Sequence, residues 1–180
     1  ALGPSGAKAL AQLAKTVDVA QDVREQAIGE LVSKIEASVS LPLLGSIIQS
    51  GNPEVGRTAL NLIRRHRFLP AIRVMLEVAR DPGSSSDVIC NIVDTVGEIG
   101  DANAQSVLLN LLRHDYLMVR RRAAVALGRI GTLSALPQLR QCAGESGANR
   151  RFRELCQRAI KKIEKRHGSS SSDFDAAEAS

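Results

Sequence analysis

The sequence predicts an all-α fold, a right-handed α-solenoid of about five stacked helical hairpins, and three observations predict it. Apolar residues recur at spacings of three and four, while no stretch alternates at period two. Apolar residues at offsets 0, +4 and +8 recur in five segments: Val23, Ala27, Leu31; Val55, Ala59, Ile63; Val88, Ile92, Val96; Val119, Ala123, Leu127; and Phe152, Cys156, Ile160. Their anchors advance by 32, 33, 31 and 33 residues, the self-similarity of a repeat array. Each period holds too few apolar side chains to offset the ordering of its own backbone, so the hairpins must stack.

The elements follow in order. Ala1 to Leu10 matches Ala126 to Gly131 with the Leu136 that follows, so the chain is expected to open at the end of a repeat's second helix. A truncated first repeat and a start without Met read as a fragment of a longer protein. Asp22 with Glu25 predicts a capping box. Asn52 followed by Pro53 predicts a cap with Pro at the first helical position. Asp115 and Asn149 can cap the fourth and fifth helices of the series, and Gly100, Gly131 and Gly168 follow the apolar stripe as stop signals. Between these helices lie partners at about 41–50, 69–80, 103–114 and 134–143, three of which begin with Leu-Pro (Leu41-Pro42, Leu69-Pro70, Leu136-Pro137). At +11, Ile99, Ile130 and Ile163 extend the stripe. Residues 1–167 thus form the repeat domain. Residues 168–180, Ser-rich and acidic, hold one large apolar side chain and are expected to be disordered.

Composition narrows the function. With 44% hydrophobic and 24% charged residues, the chain of 180 is that of a folded, water-soluble domain. Aromatics are 2% and Trp is absent, so ring-stacking platforms for bases or flavins can scarcely be built and no cofactor is expected. Cys90, Cys142 and Cys156 form no CxxC pair, and their odd number suits a reducing compartment. Apolar runs fall short of the roughly 18 residues of a membrane span, and the reading is a cytoplasmic protein. The net charge is +5, and +8 without the tail that holds Asp173, Asp175 and Glu178, so the body can attract nucleic acid, an anionic surface or an acidic protein.

The segment from Asp115 through Val119-Arg120 and Ala123-Ala124 to Leu127-Gly128-Arg129-Ile130-Gly131 closely resembles HEAT repeats, specifically the HEAT-like type found in phycobilisome lyases. Val96-Gly97-Glu98-Ile99-Gly100-Asp101 resembles the same junction one repeat earlier, and Asp22-Val23-Arg24-Glu25-Gln26-Ala27 repeats the opening. The resemblance covers nearly residues 1–166, strongly at 88–140 and more weakly at 37–82. The Arg that the family places after the anchor Val is matched at Arg24, Arg120 and Arg153, while Gly56 and Ile89 replace it, so those two junctions are expected to pack differently. The resemblance also implies that Arg120 pairs with an Asp, such as Asp115 or Asp101, and that the second helices line a concave binding surface.

Chemical motifs are missing. His66, His114 and His167 are scattered without ligand spacing, so no metal site is expected. Phosphate-loop and nucleophile-elbow motifs do not occur, nor do the paired His-Glu dipeptides that a HEAT-like iron hydroxylase would need. No catalytic residue is assigned. The basic run at 150–166, with Arg150, Arg151, Arg153, Arg158, Lys161, Lys162, Lys165 and Arg166 against Glu154 and Glu164, reads either as a nucleic-acid or acidic-protein footprint or as the polar outer face of an end repeat.

Offsets +2, +6 and +9 point away from the buried stripe. Across the repeats they read Glu25, Arg57, Cys90, Arg121, Glu154; Gly29, Asn61, Asp94, Val125, Arg158; and Val32, Arg64, Gly97, Gly128, Lys161. The partner-binding residues expected on this ladder are Arg57, Asn61, Arg64, Asp94, Arg121, Arg158 and Lys161, with the small residues in the middle letting a partner approach. The leading function is therefore a non-catalytic scaffold or adaptor holding a protein or peptide. Nucleic-acid binding through the basic C-terminal repeats is the alternative, and a bilin lyase subunit is a third reading carried by the resemblance alone.

Overall fold

The computed structural model of the chain describes residues 3–145 and 147–175, with side chains as far as Gly168. The described residues form ten α-helices, two short 3-10 turns and no strand. They fall into two compact units whose boundary, between Thr95 and Val96, lies inside a helix.

The first unit holds α1 (Pro4–Lys15), α2 (Gln21–Ser33), α3 (Ala37–Ile48), α4 (Pro53–Arg65), α5 (Ala71–Arg80) and most of α6 (Ser86–Ile99). Successive helices pack as hairpins, α1 with α2 and α3 with α4. Alternate helices pack as layers, α1 with α3, α3 with α5, and α2 with α4. This is the pattern that phased stacking of hairpins predicts. Its core is aliphatic, with Ile28, Leu31, Leu44, Ile47, Ile63 and Met75 essentially sealed from water.

Arg24 organises the first hairpin. It is only 4% exposed, and its guanidinium donates to the carbonyls of Ala14, Thr16 and Val19 and to Gln21 Oε1, at 3.0–3.2 Å. One cation thereby satisfies carbonyls left over at the end of α1 and in the loop after it. At the next junction the position after the anchor is Gly56, where a Cβ would lie 3.0 Å from the carbonyl oxygen of Ile48. The departure from Arg thus has a local cause: α4 crosses the end of α3 too closely for a side chain.

The second unit holds the last turn of α6, α7 (Gln105–Leu111), α8 (Leu117–Ile130), α9 (Leu136–Gly144) and α10 (Arg150–Asp175), with 3-10 turns at Ala102–Ala104 and Leu133–Ala135. Here α7 packs on α8, and α10 packs on both α8 and α9. Val119, Ala123, Leu127, Phe152, Cys156 and Ile163 are buried along the predicted stripe. Gly100, at φ +89°, takes the left-handed conformation that closes α6.

Several boundaries differ from expectation. Asn52 caps α4 as predicted, its Oδ1 accepting from the amides of Glu54 and Val55, and Asn149 Oδ1 accepts from Arg151 and Phe152 at the start of α10. The capping box is not formed, because α2 already begins at Gln21 and Asp22 lies inside its first turn, where a carboxylate suits the helix dipole. Tyr116, not Asp115, is the N-cap of α8, and its amide donates to His114 Nδ1 instead.

Leu69-Pro70 and Leu136-Pro137 stand at helix starts, but α3 starts at Ala37 and encloses Pro42. Pro42 is the sixth of twelve residues, a mid-helix site where Pro forfeits one amide donor and its ring crowds the carbonyl four residues before it, a cost that the packing of α3 on α1, α4 and α5 must offset. Gly168 does not stop α10, which runs to Asp175 into the segment whose composition predicts disorder; residues 176–180 lie outside the described residues. Finally, the anchor Val23 is 39% exposed. In α2 the buried face has turned to Arg24, Ala27, Ile28, Leu31 and Val32, because Arg24 must reach inward to hold the loop.

Candidate functional site

The ladder on the even-numbered helices divides into two groups, one in each unit. In the first unit Arg57, Asn61 and Arg64 stand about one turn apart on α4 with their side chains exposed, and Arg64 Nη2 donates to Asn61 Oδ1 at 3.1 Å. Asp94 lies on α6, half-buried. The structure brings the three α4 residues together on one face.

In the second unit Arg121 is half-buried on α8. Its Nη2 donates to Asn149 Oδ1 at 2.9 Å, so the oxygen that caps α10 also ties it to α8. Arg120, expected to pair with an Asp, instead lies over the Phe152 ring, 5.7 Å from its centroid. Asp101 is engaged elsewhere, accepting from the Asn103 amide. Arg158 and Lys161 are exposed on α10, and both border a groove.

Four ladder positions do not face outward. Val32, Cys90, Gly97 and Gly128 are buried. The glycines are used within the chain: a Cβ on Gly97 would sit 2.9 Å from Ala126 Cβ, and one on Gly128 would sit 3.1 Å from Ala159 Cα. The space read as room for a partner is filled by the next helix, since a missing side chain favours close approach of whichever apolar surface is nearest.

That close approach leaves a furrow above it. A groove of about 420 Å³ runs between α8 and α10, with Ala124, Val125, Gly128 and Ala159 as floor and Leu155 as one wall. Arg158, Lys161 and Lys162 line its α10 side. Both carboxylates of the basic run are occupied away from these cations. Glu154 accepts from Arg150 at 3.0 Å and Arg151 at 3.3 Å, hydrogen bonds that hold its carboxyl below the usual range. Glu164 pairs with Arg140 at 2.8 Å. Arg166 caps α8, donating to the carbonyls of Arg129 and Gly131. The groove's floor was missed in the sequence because its Ala124 and Ala159 sit at offsets +5 and +7, off the ladder; the small residues flanking Gly128 were the available signal.

Among the described residues no group of His, Cys, Asp and Glu is placed to hold a metal ion. His114 Nδ1 serves the backbone, as noted. The cysteine thiols are buried. Burial pushes Cys142 up, with nearby Glu145 adding to it, and pushes Cys156 up to about 12, so neither supplies a thiolate nucleophile near neutral pH. No described helix is long and apolar enough to cross a membrane.

Stacked hairpins with alternate-helix layers define an α-helical repeat protein of the solenoid class. The family model for HEAT repeats matches residues 72–161, and the chain belongs to that family. Similar solved structures include an engineered protein of the Northeast Structural Genomics Consortium, 18% identical with a TM-score of 0.53, covering 91% of this chain and 85% of that one. They also include a designed armadillo repeat protein in complex with the peptide (KR)4, 17% identical with a TM-score of 0.54, covering 88% and 92%. Human deoxyhypusine hydroxylase in complex with glycerol is 11% identical with a TM-score of 0.46, covering 89% and 85%. At these identities the likeness is one of fold alone. No curated protein matches the sequence significantly.

Proposed function

We propose that this chain is a non-catalytic scaffold or adaptor module that holds a protein or peptide on exposed faces of its even-numbered helices, α4 in the first unit or α8 and α10 in the second. The observation that carries the reading is the HEAT-repeat fold itself, whose α4 presents Arg57, Asn61 and Arg64 together and whose α8 and α10 enclose a groove open to solvent. The designed armadillo protein that holds a peptide supports it by analogy of fold. A reducing cytoplasmic setting suits the three buried thiols.

The test is affinity capture from the native host, comparing the wild type with an Arg57→Glu, Arg64→Glu, Arg158→Glu variant whose thermal unfolding is unchanged. Loss of one specific partner is the expected result. A partner set identical for both proteins would remove the reading. The bilin lyase reading rests on repeat type alone.

A further inference from the structure

We infer that the groove between α8 and α10 receives an acidic peptide segment in which a small aliphatic side chain alternates with Asp or Glu. The inference rests on the scaffold reading and names the chemistry of its partner. Arg158, Lys161 and Lys162 line the groove with no acidic residue among its lining, while Glu154 and Glu164 are committed to Arg150, Arg151 and Arg140. A basic rim whose own carboxylates are turned elsewhere is complementary to an anion.

Lys161 and Lys162 stand three and four residues after Arg158, each about 5–6 Å from it along the helix surface. An extended peptide places every second side chain about 7 Å apart on the same side and the intervening one on the other. Carboxylates at alternate positions can therefore engage the rim while the residue between them points into the furrow. There it meets the aliphatic surface of Val125, Ala159 and Leu155. That apolar floor decides between partner classes: a phosphodiester chain gains nothing from it and wants aromatic stacking that the groove does not offer.

The experiment uses fluorescence anisotropy of the full chain with a labelled nine-residue peptide of alternating glutamate and valine. Binding should weaken at least tenfold with a glutamine and valine peptide, and at least tenfold in a Lys161→Glu, Lys162→Glu variant. It should weaken similarly in Val125→Trp, which fills the furrow without changing charge, and stay unchanged in Lys8→Glu, Arg65→Glu, which reverses two exposed charges of the first unit. Should Val125→Trp unfold the unit, seen as a lowered thermal midpoint, Leu155→Trp takes its place. Equal losses in Lys8→Glu, Arg65→Glu, or none on filling the furrow, would overturn the inference. So would tighter binding of a nine-nucleotide single strand competing for the same variants, or self-association of the chain abolished by them. If the peptide fails to bind while partner capture still depends on Arg57 and Arg64, the groove proposal falls and the scaffold reading stands.

Discussion

Two junctions, one in each unit, join successive hairpins by opposite means. In the first, a large cation does the work: Arg24 reaches inward to three carbonyls, and α2 is linked to α4 by a hydrogen bond from Gln21 to Thr58 at 3.0 Å. In the second, the absence of a side chain does it: Gly97 and Gly128 let α8 and α10 close on their neighbours. The polar bracket is specific in direction but must keep every acceptor satisfied. Close approach through glycine gains dispersion and leaves a furrow, as between α8 and α10.

The largest effect on this comparison is expected at Phe152, 2% exposed beneath Arg120. Phe152→Ala should destabilise the second unit by about 3–5 kcal/mol, read as a lowered urea midpoint with hydrogen exchange quickened in α8 and α10. Protection unchanged there would show that the glycine contacts carry the unit alone. Next comes Arg24→Met, which keeps the volume and abandons the carbonyls. A loss of about 2–4 kcal/mol is expected, with exchange faster at the end of α1; a neutral result would mean that water replaces the guanidinium and that the polar bracket is dispensable.

Two glycines sharpen the contrast at smaller scale. Gly97→Ala would place a Cβ 2.9 Å from that of Ala126 and should cost about 1–3 kcal/mol, whereas Gly29, on α2 with nothing within 4 Å of its would-be Cβ, should gain roughly 0.5–1 kcal/mol on becoming Ala. Opposite signs in thermal unfolding support the two joining modes, and like signs would dissolve the distinction. The smallest effect concerns pH. Cys156 is protonated in the folded chain up to about 12 against an ordinary 9.0. Unfolding above pH 9 therefore releases a proton, and the stability this thiol preserves, complete below pH 9, declines as pH rises towards 12. Cys156→Ser should flatten that alkaline decline, and the wild-type thiol should resist alkylation at pH 8 until the chain is unfolded.

The helical period, most of the stripe from Val55 to Ile163 and the Asn52 and Asn149 caps were legible because they depend on local spacing and short side-chain reach, although Val88 and Ile160 are only half-buried. Elements that failed depend on tertiary partners. Val23 satisfies the periodic template yet is exposed, since the inward pull on Arg24 rotates α2, and no local pattern encodes that pull. Pro42 reads as a start signal by itself, but α3 extends back to Ala37. The ladder shows the same limit. Arg57, Asn61, Arg64, Arg158 and Lys161 are exposed as the offsets require, whereas Gly97 and Gly128 are covered by Ala126 and Ala159. A sequence offset gives the angle at which a residue points, and only the neighbouring helix decides whether anything stands there.

The contact of Arg166 with the last carbonyls of α8 makes the integrity of one helix depend on another helix's far half. Shortening the chain to Lys165 would remove those donors and expose Arg129 and Gly131 to solvent competition, so fraying would be felt some 35 positions upstream of the cut. A boundary for any minimal fragment of this repeat array accordingly belongs beyond Arg166, however dispensable the final turns of α10 look when counted only by what they bury.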